Sequence, residues 1–410
     1  MPRADRNPQR HAMRISTANR YEATVDSLQR RQRDMAQAQT QMTNGKRINQ
    51  PSDDPTGAAR AERAYLSSQR IASDQRSVDA SRNAMVLAES ALGQSSEVLQ
   101  NVRETLVAAG NGSYSPNERM AQANQLTQYR GQLLALANQG NGAGGYLFGG
   151  QGATAVPFLD TPDGVLPAAT GGQTLLSSTE QLPITVDGQS IWLSAHSGNG
   201  VFVSAADAGN AGTGWIDAGT VSTPGLLTGD SYAIEFVDNG GTMAYNVLRG
   251  GLSIGMDDVP YRSGAAIEVD GMALHIKGAP AAGDRFTITP STPDLDAFEA
   301  LDRAIATLKD PNANAGQVAQ AVNSGVRDID AVMGHLQAAR AQTGSELMRL
   351  DAIDGRNQDR ALWAKSVQAD AEDLDMVQAV STFQNQQTGY QAALQSYAMV
   401  QRLSLFDYVK

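Results

Sequence analysis

Apolar residues recur along this chain in two spacings, helical in the outer thirds and strand-like in the middle. After Pro55, Ile71, Val78, Met85, Leu92, Leu99 and Leu106 fall on every seventh position, with Ser81, Ala88, Ser95 and Val102 at the alternate seam position. Six apolar residues in strict heptad register predict a rod-like helix of about fifty residues, packed along one seam against partner helices. Its start is marked by Gln50-Pro-Ser-Asp-Asp-Pro-Thr-Gly. There Asp54 can cap the free N–H groups of the first turn, and Pro55 suits the first helical position, where no N–H is needed. Gly110-Asn-Gly breaks the rod, and Ser115-Pro-Asn-Glu118 restarts a helix with a capping box that runs through Leu126, Leu133 and Leu136. Beyond residue 290, Thr292-Pro-Asp predicts another helix through Phe298, Leu301, Ile305 and Leu308. After Gly316 the heptad returns as Val322, Ile329, Leu336, Thr343 and Leu350, with Thr343 its one polar member.

Between these helical stretches the period shortens. Ile184-Thr-Val, Ile191-Trp-Leu, Val201-Phe-Val, Tyr232-Ala-Ile-Glu-Phe-Val, Ala266-Ile-Glu-Val and Phe286-Thr-Ile-Thr read as short strands separated by turns. Val186-Asp-Gly-Gln and Val269-Asp-Gly-Met carry the Asp-Gly pair that favours hairpins. More than half of the 40 glycines lie in residues 150–290, whereas residues 13–138 hold only Pro51, Pro55 and Pro116 as prolines. The fold class that follows is α+β: an elongated helical coiled coil or bundle built from both chain ends, with a β-rich insert in the middle. The expected segments are a disordered leader over 1–12, a terminal-helix domain of 13–45 plus 371–410, a helical rod of 46–150 plus 291–370, and the insert over 151–290.

The chain ends carry a narrower pattern. Tyr21, Val25, Leu28, Gln32, Met35, Gln39 and Met42 step by four and three, as do Met376, Val380, Phe383, Gln387, Tyr390, Leu394 and Tyr397. Periodicity alone leaves open an intramolecular helix pair or an intermolecular assembly. Sparseness favours assembly, because a seam interrupted by Gln buries too little apolar surface to be stable alone. The candidate assembly interface is therefore Tyr21, Val25, Leu28, Met35, Met42, Met376, Val380, Phe383, Tyr390, Leu394 and Tyr397, ordered only among neighbours.

Composition narrows the chemistry. The 410 residues include no Cys, which removes disulfide scaffolds, thiolate metal sites and Cys nucleophiles together. The four His, His11, His196, His275 and His335, are too far apart in sequence for a short metal motif, and neither HExxH nor GxxxxGK[ST] occurs. No catalytic, metal or cofactor residues are assigned, and no cofactor is expected. Net charge runs from +5 in residues 1–149 through −10 in 150–290 to −6 in 291–410. The eight Arg of the first 33 residues are interleaved with Asp5, Glu22 and Asp26 and accompanied by a single aromatic, Tyr21, so nucleic acid is not an expected partner. No apolar run reaches the 18 or so residues that cross a bilayer, so membrane insertion is not expected either, and MPRADRNPQRHAM lacks the apolar core of a cleaved signal.

Three stretches resemble the flagellin superfamily: Arg14-Ile-Ser-Thr, Asn44-Gly-Lys-Arg-Ile-Asn-Gln-Pro-Ser-Asp-Asp-Pro-Thr-Gly57 with Ala58, Ala59 and Arg60, and Leu374-Asp-Met-Val-Gln-Ala-Val through Leu403-Ser-Leu-Phe-Asp-Tyr408. The ending is most similar to the hook-associated members found at the junction of hook and filament. That resemblance covers residues 13–150 and 291–410. It implies a structural, non-enzymatic subunit of the bacterial flagellum whose terminal helices form an inner tube and whose insert faces outward. It further implies assembly with its own copies in a ring, contact with hook-associated protein 1 and with flagellin, and an export chaperone on the C-terminal helix. Passage through the flagellar type III apparatus without signal cleavage, to an extracellular location, is implied as well.

Two other readings compete. A minor flagellin would polymerise into long filaments rather than stop at one ring. A secreted carbohydrate-binding or hydrolytic β domain on a helical stalk would use acidic residues such as Asp187, Asp257, Asp258 and Glu268, although Asp is also favoured in turns for local hydrogen bonding. Gly144-Gly-Tyr-Leu-Phe-Gly-Gly150 lacks the Lys of a phosphate loop and reads as a hinge. Trp192 and Trp215 read as core of the β domain.

Overall fold

A computed structural model describes residues 9–151, 154–177 and 180–408, with side chains described over 22–399 of that span except Ser177. The helices are α1 (Gln9–Asn44), α2 (Pro55–Ala109), α3 (Pro116–Ala137), the short α4 (Gly188–Trp192), α5 (Ala297–Lys309), α6 (Ala315–Glu372) and α7 (Met376–Tyr408). The α+β class is thus realised as long helices at both ends around a β-rich centre. The chain divides into two compact units, residues 1–73 with 355–410, and residues 74–354. Helix α1 begins at Gln9, inside the segment expected as a leader; residues 1–8 of that segment lie outside the described residues.

In the unit of residues 74–354 the heptads are fully used. Val78, Met85, Leu92, Leu99 and Leu106 of α2 and Ile329, Leu336, Thr343 and Leu350 of α6 are all buried, most of them completely. Four charge pairs tie the two helices in antiparallel register: Arg82 to Asp351 and Asp354 (2.7 and 3.3 Å), Arg103 to Asp330 (2.7 Å) and Arg340 to Glu89 (2.6 Å). Helix α3 opens with the expected capping box, the Ser115 side chain accepting from the Glu118 N–H while the Glu118 carboxylate accepts from the Ser115 N–H at 2.7 Å. Helix α5 starts later than Thr292-Pro-Asp predicts. Its cap is Asp296, whose carboxylate accepts from the N–H of Phe298 and Glu299; Asp294 instead accepts from the Thr292 hydroxyl.

The β-rich centre divides between two cores. Strands β5 (Phe202–Ala206), β8 (Tyr232–Asn239), β9 (Thr242–Arg249), β10 (Leu252–Pro260) and β13 (Arg285–Pro290) form an antiparallel sheet in the order β10-β9-β8-β13-β5. A second sheet joins β6 (Trp215–Ile216), β7 (Thr220–Val221), β11 (Ala266–Val269) and β12 (Met272–Lys277). Both sheets contribute to one apolar cluster built on Phe202, Tyr232, Phe236, Leu274, Ile276 and Phe286. The β11–β12 hairpin turns at Asp270-Gly271, both at positive φ (42° and 81°), as the Asp-Gly pair predicts for a type I′ turn.

Residues 147–195 bury elsewhere. The hairpins β1 (Phe158–Thr161) with β2 (Gly164–Pro167) and β3 (Leu175–Ser177) with β4 (Gln181–Pro183) join the helical core through Phe158, Val165 and Leu182. Ile184-Thr-Val is not a strand, and Ile191-Trp lies in α4. Asp187-Gly does not make a hairpin: the Asp187 carboxylate caps α4 by accepting from the Ser190 N–H at 3.2 Å. Trp192 belongs to the helical core rather than the β core, edge-on to Phe148 at 5.8 Å and beside Phe298 at 6.2 Å. Leu147 and Phe148, read as part of a hinge, are buried in that same core.

Candidate assembly surface

The terminal helices belong to the unit of residues 1–73 with 355–410, and a dense loop pins them together. Helix α1 ends where Gly45 takes a left-handed backbone (φ 67°). The following residues lock onto the α6–α7 linker: Arg47 N–H donates to the Glu372 carbonyl (2.6 Å), its guanidinium to the Ala371 carbonyl (2.7 Å), Leu374 N–H to the Gly45 carbonyl (3.0 Å), and Lys46 pairs with the Glu372 carboxylate (2.9 Å). Within the loop, the Asp53 carboxylate accepts from the N–H groups of Asn49 and Gln50. Asp54 caps α2 through the Gly57 N–H at 2.9 Å. That hydrogen bond, then the Thr56 hydroxyl and the Arg47 guanidinium, hold the Asp54 carboxyl at a pKa of about 2. Asp375 caps α7 through the N–H groups of Val377 and Gln378.

From this anchor α1 and α7 run antiparallel and pack against each other. The pairing is intramolecular, the arrangement that the sparse seam disfavours. Gly389 lies beside the Arg31 guanidinium, where an added Cβ would come within 2.8 Å of it. The register given by Lys46 opposite Asp373 sets Met42 level with Met376, Met35 with Phe383 and Val25 with Leu394.

The seam this pairing makes is unfinished. Val25, Leu28, Met35, Met42, Phe383, Tyr390 and Tyr397 are half-buried, whereas Met376, Val380 and Leu394 remain 46, 38 and 42 % exposed. The Tyr21 side chain lies outside the described residues. No described residue of α1 or α7 is fully buried, in contrast to the completely buried heptads of residues 74–354. Residues 376–401 of α7 contain no charged side chain at all. A helix that is neither charged nor covered suits close packing against further helices.

The other candidate residues serve local structure. Asp187 is a helix cap, Asp257 accepts from the Ser253 hydroxyl, Asp258 sits at positive φ in a bulged strand, and Glu268 is exposed on β11. Sequence spacing hid one convergence: His196, His275 and His335 line a single cleft of about 880 Å³. There His275 Nδ1 lies 2.9 Å from Asp217, and His335 Nε2 donates to the Ser190 carbonyl at 2.7 Å. Among the described residues no group of three or more His, Asp or Glu is placed to hold a metal ion.

Comparison with known proteins places this geometry. Residues 15–153 match the bacterial flagellin N-terminal helical region. Flagellar hook-associated protein 3 of Salmonella typhimurium is 26 % identical over 401 residues, 96 % of this chain and 99 % of that protein. The chain is similar to flagellar hook-associated protein 3 over nearly its whole length. The fold agrees: the crystal structure of the flagellar junction protein FlgL from Legionella pneumophila superposes with a TM-score of 0.66 at 25 % identity, covering 77 % of this chain and 100 % of that one. Similarity to flagellin itself is shorter. Flagellin of Listeria monocytogenes is 31 % identical over 122 residues, 30 % of this chain and 41 % of that protein.

Proposed function

We propose that this chain is a structural subunit of the bacterial flagellum, joining hook to filament. Copies form a ring between hook-associated protein 1 and the first flagellin subunits, and no bond is made or broken in the process. The observation that carries the reading is the unfinished α1–α7 seam, which leaves Met376, Val380 and Leu394 about two-fifths exposed. Neighbouring subunits complete it, each such side chain then contributing about 1 kcal/mol, the unburied share of a full Leu or Met. Length-wide similarity to hook-associated protein 3 supports this reading over a minor flagellin, to which similarity is confined to about a third of the chain. The chain would be exported unfolded through the flagellar apparatus to the extracellular appendage, with a chaperone on α7 beforehand.

The test is electron microscopy of the purified chain with and without flagellin filament seeds. A discrete ring or cap at filament ends is expected. Long filaments of this chain alone would select the flagellin alternative, and neither self-association nor binding to filament ends would remove the proposal.

A further inference from the structure

The seam of α2 and α6 changes character in the unit of residues 1–73 with 355–410. Apart from the half-buried Ile71, its heptad positions there are Gly57, Ala64, Asn357, Ala364 and Ala371, all small or polar and all buried. The other large apolar side chains Tyr65, Leu66, Leu362 and Trp363 point away from that seam, 46, 50, 68 and 68 % exposed. A helix pair that buries alanines and exposes Trp, Tyr and Leu is inside out for a structure that ends at its own surface.

Helix geometry sorts these residues. Each residue turns ~100° about the axis, and in an antiparallel pair a forward step on either helix leads to the same face. Tyr65 is one step forward of the buried Ala64, and Trp363 one step back from the buried Ala364, so the two aromatics lie on opposite faces of the pair. Arg60, Arg63, Arg70, Arg356 and Arg360 share the Trp363 face with Asp359 and Asp370, whereas the Tyr65 face carries Glu62, Lys365 and Glu372, the last paired with Lys46. A basic face repels its own copy; the near-neutral Tyr65 face does not.

We infer that the Trp363 face of one copy docks on the Tyr65 face of the next copy of this same chain. Such a contact is heterologous, using two different patches, and so it closes into a ring or continues as a helix rather than stopping at a two-fold dimer. The inference rests on the assembly reading above and adds to it a second contact, separate from α1 and α7.

The absence of cysteine makes the contact testable by disulfide trapping in the full chain. Gln69→Cys lies one turn from Tyr65 and Ser366→Cys one turn from Trp363, both exposed and both leaving the aromatics intact. Self-association is driven by raising the protein concentration in ammonium sulfate and followed by sedimentation before mild oxidation. The expected result is a ladder of covalent dimers and higher oligomers from the double variant, at least tenfold more abundant than from either single variant. Ser366→Cys alone linking as efficiently as the double variant would overturn the heterologous arrangement. A double variant that sediments normally but gives no covalent species would overturn this contact while leaving the assembly reading intact. Failure of the unaltered chain to self-associate would overturn this contact, while its binding to flagellin filament seeds would still uphold the assembly reading.

Discussion

Replacing Leu394 by Asp separates what the terminal helices do within one chain from what they do between chains. Leu394 is 42 % exposed opposite Val25, so in the single chain the change forfeits the buried part of one leucine, about 1–1.5 kcal/mol, and leaves the carboxylate largely in water. Between chains it forfeits the remaining ~1 kcal/mol and forces a carboxylate into an uncharged helical surface, a further cost of at least ~2 kcal/mol. At 1.4 kcal/mol per tenfold, the sum weakens each subunit contact by about a hundredfold or more. Far-ultraviolet circular dichroism and thermal unfolding of the monomer, alongside sedimentation of the assembling protein, read the two effects separately. The expected outcome is near-unchanged helix content, an unchanged transition for residues 74–354, and loss of sedimenting species at concentrations where the unaltered chain assembles. Sedimentation at the original concentration would refute the reasoning, because it would mean that the exposed side of Leu394 stays in water after assembly.

Three further outcomes follow from the fold. Leu99→Ala, at a fully buried heptad position, should destabilise the unit of residues 74–354 by about 2–5 kcal/mol in a denaturant titration, and a loss below ~1 kcal/mol would contradict the packed seam. Asp54 has its pKa lowered to about 2, chiefly by the Gly57 N–H. Its stabilisation is therefore present above the ordinary carboxylate range and lost as pH falls from about 4 towards 2, and Asp54→Asn should flatten the acid limb of helix loss in that window. Asp296 has its pKa raised by burial, so its charge costs stability above the raised pKa and the cost disappears as pH falls below the ordinary value. Asp296→Asn keeps an N-cap, should melt at or above the unaltered chain at neutral pH, and should lose that advantage in acid.

What could be read from the sequence was whatever depends on neighbours close along the chain. The heptads, the Ser115–Glu118 capping box, the Asp54 cap and the Asp270-Gly271 turn are local devices whose residues specify their own geometry. Asp187-Gly188 resembles the Asp270 pair locally, yet it starts a helix: an added Cβ on Gly188 would meet the Phe148 carbonyl at 2.3 Å, a long-range constraint invisible in the dipeptide. Trp192 was misplaced for the same reason, since nothing within residues 184–193 says that its partners are Phe148 and Phe298. At the candidate surface, the periodicity of the terminal helices was legible, but their anchoring was not. The bonds from Lys46 and Arg47 to residues 371 and 372 span more than 320 positions.

Burial along the heptads explains why both the α1–α7 and the α2–α6 surfaces point outward from the chain. In residues 74–354 the heptad positions are Leu, Ile, Val and Met with the single polar Thr343, and each is buried within the single molecule. In residues 1–73 with 355–410 the α2–α6 seam, apart from the half-buried Ile71, shrinks to Gly, Ala and Asn, while no described side chain of α1 or α7 is completely buried. A methyl group in place of a leucine side chain gives up about three methylene-equivalents, or ~2 kcal/mol per position. This unit therefore keeps its helices through caps, the Lys46–Glu372 and Arg47 bonds and partial packing, with its larger apolar side chains, Trp363, Leu362, Val377 and Met399, left in water. Burying them inside one chain would demand a larger fold; under the proposed assembly, burying them between copies would make stability and assembly the same event.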